Sequence, residues 1–575
     1  MNNYYNANRE LYLNQIDLEE IVSDLENNFQ DPEPNQEPNP EPTTLHSYTQ
    51  ATQWYALILR NAGDISANFI APRAAAVDEQ GASFADGAVR WAPESQENMD
   101  VLAQAGFMGG TLPRKYGGLN LPVTVNTVII EMVSQADASL MNLFGLQDIG
   151  VTICKFGTRE QKDRVLPKFC SGAVSGSMAL TEPDAGSDLQ AVSLKAIEKE
   201  GVWHLDGVKR FITNGCGEIS LVLARSEEKS KGAKGLSMYL YERDRDDNAV
   251  IRRIEDKHGI HGSPTCEIQF NQAKAELVGK RRFGLIRYVR SLMDGARLAI
   301  AAQALGIAQA AYNEAVKYAN EREQFGQAIV HFPAVYQMLK RMQAEIETHR
   351  LLLYNTALHV DRMEMLEKRA ARGEKIRPQV KKASAMSGLL TPLVKFSTAE
   401  MANKAAYDAV QIHGGCGFMK DFPVERLSRD ARITNIYEGT SQLQVVAAIG
   451  GITTGLLADE WEKLRNMKIV SQTEAHASVV AYADRYEQIV EQVKKMGSKP
   501  FTDYVGNYLM ELTSIIYRLY LFLPVADAHE SKRDLFKFFL CESDAHIDYL
   551  IRKIENTASV YGERIDVLKN DLVKF

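Results

Sequence analysis

The hydrophobic period of this 575-residue chain changes twice, and that double change limits the folds open to it more than any single motif does. From about Gln50 to Lys168 the spacing is helical, with Leu57, Ile58, Ile65 and Ile70 on one stripe and Thr124 to Ala136 on another. At about Gly172 the pattern turns to strand: Val202–Lys209, Leu221–Arg225, Leu236–Leu240 and Glu267–Phe270 alternate or run apolar between turn residues. Helix returns at about Phe283 and stays. Leu298, Ala301, Ala302, Leu305 and Ala308 belong to one long helix, Val335 to Leu353 mark a second, and Gly388 to Val410 a third. Beyond Gly451, apolar faces run from Tyr508 to Leu523 and from Leu535 to Ile554.

The chain is too long for one core, so several domains are expected. The fold class predicted is α+β, mostly α. An N-terminal helical domain covers 50–171, a middle antiparallel β-barrel or sandwich 172–285, a C-terminal four-helix bundle 286–452, and a further helical extension 453–575. Residues 1–49 read as one helix over Leu11–Leu25 followed by an extended, acidic, proline-rich linker, Asp31–Pro42. Gly157 and Thr158 suit the end of one helix and the cap of the next, and Arg362–Lys382 reads as an insertion lengthening two antiparallel helices and their turn.

A formal charge of −8 gives no general electrostatic reason to bind nucleic acid or an anionic membrane. The six cysteines have no ligand-like spacing, so no metal site is expected. No apolar run is read as reaching the roughly 18 residues that span a bilayer, so membrane association is not expected. The N-terminus is neither a secretory signal nor an Arg-rich transit peptide, and a cytoplasmic location is the expectation.

Within Ile436-Tyr437-Glu438-Gly439-Thr440-Ser441-Gln442 a single carboxylate stands beside a glycine that lets backbone approach a ligand. Such a group suits a general base with neighbouring N–H groups as an anion site; the alternative is a solvated loop glutamate. The same chain carries Thr181-Glu182-Pro183-Asp184-Ala185-Gly186-Ser187-Asp188, Lys209-Arg210-Phe211-Ile212-Thr213-Asn214-Gly215, Arg322-Glu323-Gln324-Phe325-Gly326 and Gln411-Ile412-His413-Gly414-Gly415-Cys416-Gly417. In this order and at these separations, the five resemble the signature set of the acyl-CoA dehydrogenases, over about Gln50 to Gly451.

The resemblance implies FAD as cofactor and an acyl-CoA thioester as substrate. Removal of the thioester's α-proton needs a positioned base, and the β-hydrogen must leave as hydride, which no side chain accepts and a flavin does. By residue matching the base is Glu438. Some relatives place it before an arginine that matches Arg297, where this chain has Ala296. Met178, Leu180, Thr181, Phe211, Ile212 and Thr213 match residues around the flavin ring, and Gly186 and Ser187 those beside the pyrophosphate. Phe211 stands where the family more often has Trp. Arg322, Gln324, Phe325, Gln411, Gly414 and Gly415 match the segments that hold the adenosine diphosphate of a neighbouring subunit's FAD; Thr440 and Gln442 match the final contacts. Where many members have a further Gln this chain has Pro333, and no role is carried over. Ser187, Asp294, Arg297, Tyr437 and Gly439 match the substrate side, while His413 and Cys416 read as structural.

A homodimer or homotetramer that passes electrons to an electron-transfer flavoprotein is therefore implied. The alternatives are an acyl-CoA oxidase or other oxygen-using flavoenzyme of the same fold, and a non-catalytic flavin-binding scaffold. Such a DNA-binding relative should have a strongly basic C-terminal domain, and a chain that is acidic overall argues against it.

Overall fold

A computed structural model describes residues 3–30, 45–230 and 232–569. Two compact units emerge from its contacts. Met1–Asn6, Leu18–Ala310 and Glu425–Ile433 form the first, and Ala7–Asp17, Ala311–Val424 and Thr434–Phe575 the second. The N-terminal segment read as one helix is in fact two. Helix α1 (Ala7–Leu13) belongs to the second unit and α2 (Glu19–Leu25) to the first. The apolar period survives the break, but Asn14, Gln15 and Asp17 favour local backbone bonding over continued helix. The linker Asp31–Pro42 lies outside the described residues.

Helices α3 (Tyr48–Ile65), α4 (Ala74–Gln80), α5 (Pro93–Gln104), α6 (Val123–Ala136), α7 (Ala138–Phe144), α8 (Ile149–Phe156) and α9 (Arg159–Cys170) follow in the first unit. The all-helical reading of 50–168 missed one hairpin, β1 (Ser83–Ala85) with β2 (Ala88–Arg90), whose three-residue strands are too short to show a period. Thr158 caps α9 as expected: its hydroxyl accepts from the Gln161 N–H, and the Gln161 side chain accepts from the Thr158 N–H at 3.0 Å.

Seven strands make the sheet: β3 (Gly176–Ala179), β4 (Lys195–Lys199), β5 (Val202–Thr213), β6 (Ile219–Arg225), β7 (Leu236–Glu242), β8 (Ala249–Ile254) and β9 (Thr265–Leu277). The expected antiparallel character holds for most pairings, but β3 and β4 each pair with β6 in parallel, so the sheet is mixed. Strand β6 is buried on both faces, which is why its sequence runs apolar without alternation. Leu221 and Leu223 pack with Ile153 and Phe169 from α8 and α9, and Val222 packs on the other side with Tyr239, Tyr241 and Phe270.

Helix α10 (Arg290–Glu321) lies in the first unit as far as Ala310. The two-residue strands β10 (Glu323–Gln324) and β11 (Gln327–Ala328) lead to the two longest helices, α11 (Pro333–Ala371) and α12 (Arg377–His413). Their length absorbs the charged 362–382 stretch, as the insertion reading expects. Then come α13 (Pro423–Ala431), α14 (Ser441–Thr453), α15 (Ala458–Arg465), α16 (Thr473–Met496), α17 (Lys499–Ala528) and α18 (Glu530–Val560).

One expectation is corrected by α17. By length and composition this helix is apolar enough to cross a membrane, with a mean hydropathy of 1.4 over its best 18-residue window, and 78% of that window is buried inside the protein. Tyr508, Glu511 and Arg518 interrupt the apolar letters, which hid the run from a count of consecutive residues. Helix α1 is fastened to the extension by a buried cluster: the Lys532 ammonium donates to Glu347 at 2.7 Å and to the Asn8 side chain at 2.6 Å, and the Tyr12 hydroxyl donates to Glu347.

Trp461 is the aromatic centre of the extension, fully buried and edge-on to Tyr486 and Tyr517. Trp461→Ala should cost about 3–5 kcal/mol of local stability. Urea unfolding followed by tyrosine fluorescence should show an early transition in the variant; a midpoint matching wild type would contradict this packing.

Candidate active site

In the first unit the chain leaves β3 through Leu180, Thr181 and Glu182, and a buried ion pair fixes its course. The Lys209 ammonium, fully buried on β5, donates to the Leu180 carbonyl at 2.7 Å and to the Glu182 carboxylate at 2.9 Å. Glu182 also accepts from the N–H groups of Ser193 and Leu194 and from the Ser193 hydroxyl. Burial alone raises the Glu182 carboxyl, but Lys209 and these donors outweigh it and hold it below the usual carboxylate range. Burial lowers the Lys209 ammonium to about 8, with Glu182 pulling the other way. Both groups are therefore charged at neutral pH. Both residues lie inside sequence motifs, but nothing in their spacing reveals that they pair.

Next to Lys209 the strand register against β9 shifts between Lys209 and Ile212. Phe211 sits in that irregularity with a left-handed backbone, φ +61°, and 52% exposed. An exposed ring on strained backbone inside a strand is a surface held ready for something flat. The Arg210 N–H donates to the Thr181 carbonyl at 3.0 Å, and its guanidinium lies 4.7 Å from the Phe211 ring. Glu182 and Ala185 exchange backbone hydrogen bonds, a tight turn that returns Gly186 beside Thr181. Met178, Thr181, Gly186, Ser187, Phe211 and Thr213 thus keep accessible surface, while Leu180 and Ile212 are buried behind them. On α10, Arg297 donates to Asp294 at 3.2 Å, one turn away. Burial raises the Asp294 carboxyl against the opposing pull of Arg297.

In the second unit Glu438 also has left-handed backbone, φ +53°, followed by Gly439 at φ +90°. A β-carbon at position 439 would lie 2.8 Å from the Gln444 amide, so glycine is required there. Thr440 caps α14 by accepting from the Leu443 N–H, with Gln442 exposed on the first turn and Tyr437 half-buried before the loop. The Gln444 amide donates to the carbonyls of Glu438 (3.2 Å) and Gly439 (2.8 Å), and the buried Lys395 ammonium donates to Gly439 at 2.7 Å.

Arg322 ends α10 and leads into the β10–β11 hairpin, with Gln324 opposite Gln327. Its two-residue turn has Phe325 at φ +52° and Gly326 at φ +79°, the pattern of a type I′ turn, and Phe325 is 95% exposed. Gln411 is exposed on the last turn of α12. A β-carbon on Gly414 or Gly415 would meet nothing within 4 Å, so backbone there is open to a ligand. His413 is buried, stacked on Tyr318 at 4.2 Å and bonded to the Ala409 carbonyl, which fits the structural role expected of it. Among the described residues no group of three or more His, Cys, Asp or Glu is placed to hold a metal ion.

Models of the acyl-CoA dehydrogenase N-terminal, middle and C-terminal domains match residues 54–173, 177–273 and 286–449. A 3-(aryl)acrylate reductase of Clostridium sporogenes is 34% identical over 398 residues, 68% of this chain and 97% of the relative. The chain belongs to the acyl-CoA dehydrogenase family. Butyryl-CoA dehydrogenase from Megasphaera elsdenii superposes with a TM-score of 0.59 at 30% identity, covering 69% of this chain and 97% of that one. An acyl-CoA dehydrogenase complexed with FAD from Bacillus anthracis reaches 0.74 at 23% identity and covers 87% of this chain and 88% of that one, a likeness of fold that extends into the helical extension. The family is FAD-dependent and acts on the CH–CH bond of acyl-CoA, so this chain is a flavoprotein oxidoreductase. Its exposed Phe211 and open glycine turn fit a flat ring and a nucleotide.

Lys209→Met should destabilise the protein by about 3–5 kcal/mol at pH 7, because Glu182 is left charged and buried. The folded Glu182 pKa lies below its unfolded value near 4.3, so the pair stabilises above that pH and loses its effect as pH falls through the folded value. In the variant the same carboxyl takes up its proton on mild acidification, and the gap to wild type should narrow toward pH 4. Thermal unfolding across pH 4–8 checks this; a gap independent of pH would contradict the pairing.

Proposed function

We propose that the protein catalyses α,β-dehydrogenation of an acyl-CoA thioester to the trans-2-enoyl-CoA, with Glu438 removing the α-proton. The observation that carries this reading is the Glu438 loop. A carboxylate on left-handed backbone, next to a glycine and with both following carbonyls anchored, is a group held for a task rather than a solvated loop residue. FAD, when bound, supplies the acceptor for the hydride that leaves the β-carbon.

The protein's own residues do the rest. The Glu438 carboxylate takes the proton, and the Glu438 N–H, freed for approach by Gly439, offers a hydrogen bond to the thioester oxygen as negative charge develops there. By residue matching, Thr181, Thr213 and the Phe211 ring would hold the flavin, with Met178, Leu180 and Ile212 in support. Gly186 and Ser187 lie beside its pyrophosphate. Arg322, Gln324, Phe325, Gln411, Gly414 and Gly415 serve the adenosine end across a homodimer or homotetramer, with Thr440 and Gln442 completing the site. By residue matching, Ser187, Asp294, Arg297, Tyr437 and Gly439 would serve the CoA thioester. Electrons then leave to an electron-transfer flavoprotein.

A second reading runs the same residues in reverse, with Glu438 as the acid that protonates the α-carbon of an enoyl thioester. The similarity to a 3-(aryl)acrylate reductase supports it.

Glu438→Gln should retain FAD and lose about 10²–10⁴-fold in the rate of flavin bleaching by acyl-CoA under anaerobic conditions. A panel of straight, branched, cyclic and dicarboxylic acyl-CoA thioesters identifies the substrate at the same time. Full-rate bleaching in the variant would refute the assignment.

A further inference from the structure

We propose that Lys395 is a positioning residue for the reaction: a buried ammonium that, with the Gln444 amide, sets the direction of the Glu438 carboxylate. The inference rests on the reading of Glu438 as the base.

Lys395 lies on α12 within Leu389-Leu390-Thr391-Pro392-Leu393-Val394-Lys395-Phe396, a lone cation in an apolar stretch, and its exposure is 0%. Lysine is almost never buried to that degree without a specific task, since removing its charge from water is expensive. Its ammonium lies 2.7 Å from the Gly439 carbonyl oxygen. Gln444, also fully buried, donates to that same oxygen at 2.8 Å and to the Glu438 carbonyl at 3.2 Å.

The two donors therefore hold both peptide planes that follow Glu438. Fixing those two planes fixes both dihedrals of Gly439 and the place of the Glu438 Cα and carbonyl, from which the side chain departs. This is the stretch where the backbone is left-handed at two successive positions, φ +53° and +90°. A non-glycine residue leaves that conformation readily unless its surroundings hold it. A charged donor is the stronger of the two, because a hydrogen bond from an ammonium in a buried site is about twice as strong as a neutral one. Nearby, Glu400 accepts from the Ser441 hydroxyl and, at 3.3 Å, from the Asn435 side chain, so α12 grips the loop on both sides of the carboxylate. Lys395 is not assigned contact with substrate. It acts through the loop, and the consequence is proximity: a base turned by a fraction of an ångström away from the α-carbon loses rate while substrate affinity stays.

The test uses the FAD-loaded, full-length enzyme and three variants, Lys395→Met, Gln444→Leu and Glu438→Gln, with the acyl-CoA from the panel that bleaches wild-type flavin fastest. For Lys395→Met the expected result is at least a 30-fold fall in the bleaching rate constant, with the Kd for the thioester changed less than threefold and FAD content unchanged. Gln444→Leu, which removes only the neutral donor and keeps the ammonium, should fall by a smaller factor with the same split, and it carries the test if the lysine variant fails to fold. Wild-type bleaching rates in a folded Lys395→Met or Gln444→Leu, or a loss of affinity equal to the loss of rate, would overturn the proposal. Glu438→Gln separates the two levels. If it bleaches at full rate, the base assignment fails; if it is inactive while Lys395→Met and Gln444→Leu match wild type, only the positioning role fails.

Discussion

A side chain on left-handed backbone carries a conformational cost of about 1–3 kcal/mol; four motif residues adopt it, Asn214, whose residue type tolerates that region, and Phe211, Phe325 and Glu438, whose types do so less readily. Each of the latter three is held by different means. Phe211 sits where β5 slips against β9, between an ion-paired lysine and a buried isoleucine. Phe325 is the first residue of a two-residue hairpin turn that needs positive φ. Glu438 is held by donors on its own and the following carbonyl. Removing any of these supports would let the backbone relax and move the side chain.

Buried cations are the common instrument. Lys209 ties the segment that follows β3 to the strand that carries Phe211, and Lys395 ties α12 to the Glu438 loop. In each case the ammonium bonds a main-chain carbonyl, so it sets backbone course rather than side-chain chemistry. Lys532 uses the same physics farther away, joining α1, α11 and α18 through Glu347. The fold thus spends desolvated charge at points where chain direction matters.

The long elements were legible because their periods run over many turns: α10, α11, α12 and α17 all lie where apolar spacing places them, as do the four longer strands of the sheet. What was not legible has identifiable causes. Strand β4, Lys-Ala-Ile-Glu-Lys, keeps only Ala196 inside, and β8 carries Arg252 and Arg253 side by side before its last residue, so neither shows a strand period. The parallel pairing of β3 is a tertiary choice with no local signature. The break between α1 and α2 hides because apolar letters continue through it. Of the site, the motif residues and the grouping of Thr181, Gly186 and Phe211 could be read by resemblance. The supports could not, since Lys209, Glu182 and Lys395 look like surface residues until burial is known. A single lysine amid seven largely apolar neighbours was the one available signal for Lys395.

The central claim is that one carboxyl group moves the thioester's α-proton. Isotope exchange in heavy water tests it without reference to the flavin's colour: an acyl-CoA is incubated with the enzyme and deuterium at its α-carbon is followed by NMR. The account predicts incorporation catalysed by wild type and none above background with Glu438→Gln. Equal incorporation by both proteins would contradict it.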